Sequence, residues 1–476
     1  MRTILLTLST MIVACAPSST PQAPAEVAAD AAPEPVPVVE APPEEPPPPP
    51  KTYRLALKDV AVLTQASPDG NRRGRIEKGS AFEVLELVEG PDCEGGWGRL
   101  PSFGFACLDN TEPTETEAVA QPALVTYDSP LPSEFAHYIE TGEYDHSEPV
   151  TLVPSVYAKR WRRFKGNLYK DLDAWNAEAK PVGRLAGGAG NKYQFTKIVE
   201  TPRGSVLERD DGKVAALDDV YLYPISRIKG RDLELDPLAE GLWPAITIDY
   251  EGAPIHVAPN NNAEVAKTLP YHTAITVRSE PVGSGKWYAI PDALGPGKDG
   301  FVNDWRSIRH PVMPEGRPSG VGDSDIWIDV ELDQQVLQLF RGDTLVYWTV
   351  VSTGAAPMGT PKGIWEITDK MATKTMRSRA NADDPYYVED VPWTIHWKPA
   401  YAIHGAYWHW GFGRSASHGC INMAASDVKA VWDKIGPEIP PGWHTSWSTP
   451  EVPGSVLQVR RKGLPVADRR ARVAAN

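Results

Sequence analysis

The stretch "YAIHGAYWHWGFGRSASHGCINM", Tyr401 to Met423, gathers three histidines and one cysteine among aromatics and glycines. "AYAIHG" reads as the end of a strand, which would hold His404 on a rigid edge. "SHGC" reads as a tight turn into the loop before a helix. Three chemistries want a cysteine behind a His-Gly pair: a metal site, a disulfide or a nucleophile. Zinc sites pair their ligands at tight spacings. His404, His409, His418 and Cys420 would make four ligands, but His418 and Cys420 straddle a single glycine, with no carboxylate or second thiol nearby. A nucleophile fits better, because a histidine within reach lowers a thiol pKa by stabilising the ion pair. Gly419 permits a backbone that a side chain would hinder, so the N–H groups of Gly419 and Cys420 are expected to face a developing oxyanion. No metal and no cofactor are expected.

The other three cysteines support this by elimination. The chain opens "MRTILLTLSTMIVAC": Arg2, then an apolar run from Thr3 to Val13. That run is short of the roughly 20 residues that span a bilayer and suits a secretory signal. "IVAC" resembles the bacterial lipobox, which makes Cys15 a lipidation site and places the protein in the bacterial cell envelope, facing the periplasm. Ala16 is not the aspartate that often retains lipoproteins in an inner membrane, so an outer-membrane address is favoured. Cys93 and Cys107 lie close together in one small segment and are expected to form a disulfide. Cys420 is left over. A disulfide from it to Cys93 or Cys107 would strand the other.

Composition sets the wider frame. The 476 residues suffice for several domains. With 62 acidic against 48 basic side chains the net charge is −14, which argues against a nucleic-acid partner. The 47 prolines and 39 glycines favour short strands and turns, hence a mainly β fold. After a signal peptide at 1–15, residues 16–52 are proline-, alanine- and glutamate-rich and are expected to form a disordered tether. At ~3.1 Å per residue, extended polyproline there would reach on the order of 100 Å.

Residues 53–112 alternate apolar and polar side chains between turn signals, as a small β-barrel module does. Their Trp, hairpin and Gly-aromatic order resembles bacterial Src-homology-3-like barrels, and it recurs at 241–312 through "GKWY" and "GKDGFVNDW". Such modules usually bind or space. Residues 113–240 are harder to read, with a degenerate copy at 182–223 and a basic, aromatic run at Tyr157–Asp171 that reads as a solvated face with two buried aromatics. From Asp325 the pattern sharpens. "DIWIDVELDQQVLQLFRGDTLVYWTVVSTG" predicts three half-buried strands with a tight turn at Arg341–Asp343. "SDVKAVWDKIG" predicts a helix capped by Ser426, with Val428, Val431, Trp432 and Ile435 inward. "GSVLQVR" predicts a last strand of a catalytic domain at 325–460, and 461–476 a disordered tail.

His404, followed after a loop by Ser417-His418-Gly419-Cys420-Ile421-Asn422, resembles the signature of the L,D-transpeptidase (YkuD-type) catalytic domain. Thr360, Pro361 and Gly363 match that family's upstream Thr-Pro-x-Gly turn. The resemblance implies that Cys420 attacks a peptidoglycan stem peptide and His404 serves as base and proton shuttle, oriented by the Gly405 carbonyl. It implies an oxyanion turn at His418 and Gly419. Tyr407, Trp408, Arg414 and Asn422 are candidates for stem contacts, as are the aromatics of 383–397, which read equally well as core. In the rival papain-like peptidoglycan endopeptidases the cysteine precedes the histidine, whereas here the only later histidine is His444, in a Trp/Pro-rich loop. Two further readings stay open: a carboxypeptidase in which water resolves the thioester, and a non-catalytic wall-binding spacer lipoprotein.

Overall fold

A computed structural model describes residues 51–134, 141, 147–188, 190–379, 381–382, 385–464 and 466–470. The expected signal peptide, lipidated Cys15, nearly all of the tether and Asp383–Asp384 lie outside the described residues. The chain divides into two units, Met1–Pro50 and Lys51–Asn476, and the second carries the fold. Among the described residues no helix is long and apolar enough to cross a membrane. The fold is mainly β, as the composition implies.

Residues 325–460 build two sheets around one helix. The first sheet is ordered Arg231–Asp232, Thr344–Val350, Val336–Arg341, Ile326–Glu331, Val456–Arg460, Gly363–Glu366. The second carries Asp369–Arg377, Tyr387–Lys398, Tyr401–Gly405, Ile421–Met423 and Trp443–Trp447. Helix Ala425–Lys434 packs Val428, Val431 and Trp432 into the core with Trp393, Ile395, Ile403, Ile328 and Leu337.

Three expectations are corrected here. The strands at 326–350 are buried on both faces, not one. Their alternating polar residues form a closed network instead of facing water: Asp329 accepts from Arg460, Gln458 and Gln338, and Gln338 holds both the N–H and the carbonyl of Val312. Burial of such groups is tolerated because every member has a partner. Ser426 does not cap the helix. Ala424 is the N-cap, without a side-chain bond, and the Ser426 hydroxyl donates to the Ile228 carbonyl at 2.9 Å. Part of the expected tail is placed: the Arg469 N–H donates to the Ile364 carbonyl, and the Ile364 N–H to that of Ala467.

The neighbouring regions are fused to this domain by main-chain pairing. In the first module the disulfide Cys93–Cys107, with 5.7 Å between Cα atoms, ties the turn before Trp97 to strand Gly104–Cys107. The module's strands fall into a three-stranded sheet and a share of the long second sheet, and do not close into one barrel. Its strand Arg72–Ile76 pairs antiparallel with Trp443–Trp447, Gly74 opposite Ser446. At Gly74 a Cβ would stand 2.5 Å from the Trp443 ring, so only glycine allows the strands so close. Arg73, fully buried, donates to Ser446 Oγ and to the carbonyls of Trp447, Ser102 and Glu438. Burial pushes its pKa down to about 10, so it stays cationic at neutral pH.

At the other end, Asn191–Phe195 of the middle region pairs parallel with Tyr387–Lys398, Lys192 opposite Val388. Arg209 grips Glu389 with two bonds of 3.0 Å, and Tyr157 stacks on Tyr407 with centroids 3.5 Å apart. Tyr157 and Trp161 are the two buried aromatics of the basic run.

Arg73→Met removes the donors of the first seam while keeping bulk. It is expected to lower unfolding free energy by about 3 kcal/mol, because buried acceptors lose their partners. Urea denaturation reads this, and a change below about 0.5 kcal/mol would show that the seam does not depend on Arg73.

Candidate active site

Strand Tyr401–Gly405 pairs antiparallel with Tyr387–Lys398 and parallel with Ile421–Met423, setting His404 opposite Asn422. Parallel neighbours cannot be joined by a tight turn, so the chain crosses over through the aromatic loop. Residues outside the domain hold that loop. Tyr271 Oη donates to the Trp410 carbonyl at 3.3 Å, His272 Nε2 lies 3.3 Å from the Phe412 carbonyl, and Arg309 Nε donates to the Gly413 carbonyl at 3.1 Å.

His404 is 2% exposed, with Nδ1 3.3 Å from its neighbour's carbonyl at Gly405. Burial, first of all, lowers its pKa to about 4, against the raising effect of that carbonyl. The ring is therefore neutral at pH 7. A carbonyl accepts only from N–H, so the proton sits on Nδ1 and Nε2 keeps its lone pair. Cys420 is half-buried, and burial pushes its thiol above the ordinary 9.0, partly offset by a hydrogen bond from the Ala402 backbone. The expected imidazolium–thiolate pair is thus replaced, at rest, by a neutral imidazole and a thiol. Low dielectric disfavours both charged forms.

The turn before the thiol is built from hydroxyls. Ser417 Oγ donates to the Cys420 carbonyl and accepts the Gly419 N–H at 3.0 Å. Thr360 Oγ1 donates to the Gly419 carbonyl at 2.9 Å and accepts from Gly354 N–H. Gly419 has φ +118°, and a Cβ there would stand 2.7 Å from the Tyr401 ring. The expectation that the Gly419 N–H faces an oxyanion is corrected, since Ser417 occupies it. No bond to the Cys420 N–H is found among the described residues.

Cys420 lines two cavities. The smaller, about 150 Å³, also holds His404, Trp408, His418, Asn422 and Lys192. The larger, about 630 Å³, is walled by Met371, Lys374, Arg377, Tyr386 and Lys398. Tyr386 borders both, while Trp393 and Trp397 of the same stretch are core. Two expected contacts fall elsewhere. Tyr407 is buried under Tyr157 and donates to the Glu389 carbonyl at 2.8 Å, because its ring completes the seam with the middle region. Arg414 donates to the Ile248 carbonyl at 2.8 Å and lies over Tyr250, bordering a separate cleft.

His409, which the sequence names only as a candidate ligand, accepts at Nε2 from Asn422 Nδ2 at 2.9 Å and so fixes the neighbour of His404. Other site residues escape a reading of the sequence. His396 Nδ1 meets Asp369 at 2.7 Å and its Nε2 lies 3.2 Å from Lys374 Nζ, a charged array on the wall of the larger cavity. Lys192 enters the smaller cavity from the middle region, 5.4 Å over the Trp408 ring. His396 and Asp369 carry no local signal, and the pairing of Asp369–Arg377 with Tyr387–Lys398 brings them together. Lys192 had none, since its strand partner Val388 is distant in the chain.

Residues 325–452 match the family profile of the L,D-transpeptidase catalytic domain, YkuD. Among solved structures, the catalytic domain of an E. faecium L,D-transpeptidase is 20% identical, covering 29% of this chain and 98% of that one, with a TM-score of 0.24. An L,D-transpeptidase from Stackebrandtia nassauensis is 22% identical over 30% of this chain and 60% of its own, TM-score 0.22. One from Mycobacterium smegmatis is 17% identical over 44% and 99%, TM-score 0.24. No functionally curated protein matches.

With both groups neutral at rest, alkylation of Cys420 by iodoacetamide is expected to be slow at pH 7 and to climb only through the alkaline range, without a step between pH 4 and 7. A plateau of fast alkylation below pH 7 would instead reveal a resting imidazolium–thiolate pair.

Proposed function

We propose that this protein is a cysteine-dependent L,D-transpeptidase acting on peptidoglycan tetrapeptide stems. The observation that carries the reading is the juxtaposition in one cavity of His404, on strand Tyr401–Gly405, and Cys420, just before its parallel neighbour Ile421–Met423, inside the span that matches the transpeptidase profile.

The proton inventory starts from the neutral resting pair. The Cys420 sulfur attacks the carbonyl between the third, diamino-acid residue and the D-Ala at position four, and its proton passes to His404 Nε2. The Gly405 carbonyl stabilises the imidazolium through Nδ1–H. The Cys420 N–H meets the oxyanion, with His418 beside it on the turn. When the C–N bond breaks, His404 returns the proton to the leaving amine of D-Ala, and a thioester remains. An amine of a second stem then attacks the thioester and yields its proton, through His404, to the departing sulfur, leaving a 3→3 cross-link. An amine of an anchored protein would leave a protein–wall link instead. Asn422 and Trp408 line the cavity as stem contacts. In this reading the chain is tethered through a lipid on Cys15 in the bacterial envelope, facing the periplasm, with an outer-membrane address. The modules at 53–112 and 241–312 are Src-homology-3-like units that hold the domain.

Purified protein incubated with disaccharide-tetrapeptide is expected to release D-Ala and form dimers, read by mass spectrometry. Cys420→Ala should abolish both, leaving the thermal unfolding profile intact, and His404→Gln should cut the rate by at least about 10²-fold. Release without dimers would identify a carboxypeptidase. Absence of release, together with no carbapenem adduct on Cys420, would overturn the enzymatic reading and favour a wall-binding spacer.

A further inference from the structure

Between the 241–312 region and the catalytic domain lies a cleft of about 680 Å³ that Cys420 does not line. Trp305 stands at this cleft with 66% of its surface exposed. Among the described residues no other tryptophan is so open, and its indole offers the cleft a flat apolar face.

Four cations share the cleft, Arg309, Lys362, Arg414 and Arg461, against the single acid Asp333, which Arg461 pairs. Arg309 is buried, yet its Nε and Nη1 bonds go only to the carbonyls of Gly413, Trp305 and Ile308. Among the described residues no carboxylate bonds to it, and Asp304 and Glu331 act on its charge only through space. A buried guanidinium that borders a cavity and is bonded only to carbonyls attracts an anion. Arg414 lies 4.8 Å over the ring of Tyr250, itself 57% exposed, so its charge is held flat at the rim. Thr353, Gly354 and Ser415 give the cleft hydroxyl and backbone groups, beside Leu332 and Ala356.

We propose that this cleft binds a carboxylate-bearing saccharide chain, a sugar ring packing on Trp305 and its carboxylate facing Arg309, Lys362 and Arg414. A sugar ring offers a face of C–H groups to an indole while its hydroxyls bond to a polar floor. An acidic peptide would satisfy the cations but leave the flat indole without a matching surface. Thr360 lines this cleft and also donates to the Gly419 carbonyl, so the cleft adjoins the turn that presents the thiol without including the thiol itself. The site would hold the protein on stem-free stretches of its polymer, where the sugar carboxylate is not amide-bonded to a stem, while neighbouring stems exchange at Cys420. Only the source of the sugar rests on the proposed function. The binding itself does not.

The test uses the full chain carrying Cys420→Ala, titrated calorimetrically with a peptide-free glycan of alternating N-acetylglucosamine and N-acetylmuramic acid, with neutral chitohexaose and with a short polyglutamate. The acidic glycan is expected to bind at least about tenfold more tightly than the other two. Trp305→Ala should weaken it by about tenfold. Lys362→Glu should weaken the acidic glycan and spare chitohexaose. Circular dichroism and a thermal melt confirm that each variant folds. Equal binding of acidic and neutral glycans, tighter binding of polyglutamate, unaltered binding by both variants, or no binding at millimolar glycan would each overturn the proposal. With Cys420 present, Trp305→Ala should still release D-Ala from soluble tetrapeptide. Failure of D-Ala release in the unsubstituted protein, together with no carbapenem adduct on Cys420, would overturn the proposed function while leaving the binding result standing.

Discussion

The parallel pairing of Tyr401–Gly405 with Ile421–Met423 is the constraint on which the rest of the site depends. It sets His404 opposite Asn422 and brings the thiol-bearing turn alongside, but it obliges the chain to cross over without a hairpin. Here the crossover is an aromatic, glycine-rich loop with no helix of its own. Its shape is held from outside, by Tyr271, His272 and Arg309 on the carbonyls of Trp410, Phe412 and Gly413. In physical terms the 241–312 region is therefore part of the site's scaffold. The same economy runs through the turn, where two hydroxyls, from Ser417 and Thr360, take up the polar groups of Gly419.

The flanking regions were expected to be beads that bind or space, and their joints are instead strand pairings. The long sheet runs from the middle region through the catalytic strands into the first module. Each joint hides something that water would otherwise reach. At one, Arg73 and Trp443 fill the space that Gly74 leaves. At the other, the Tyr157–Tyr407 stack and the Arg209–Glu389 pair seal the strand that precedes His404. Pairing also covers edges of the catalytic sheet that would otherwise invite another chain.

Much of this was legible in the residues, and the reasons differ by range. Periodicity is a local signal, so the strands from Ile326 to Val350, the strand Val456–Arg460 and the inward face of the helix could be read directly. Chain order and the His-Gly-Cys turn singled out His404 and Cys420. What could not be read is what depends on distant partners. Alternation suggested half-buried strands, but Asp329 and Gln338 face a network that includes Arg460 and Val312. Tyr407 looked available because nothing local shows that Tyr157 lies on it. Lys192 and His396 reach the cavities only through register. The charge state of the thiol is set by burial, which a motif does not carry.

The two sheet joints also set an order of assembly. Gly74 waits for Ser446, and Asn191 for Tyr387, so neither seam can close until nearly the whole chain is present. Contacts of such separation are slow to form, because loop closure must precede any gain from pairing. For a chain that emerges from its N-terminus, the first module must stand with one strand edge unpaired until the last strands arrive. Its disulfide, closing a short local loop, can form before then and hold that module while it waits.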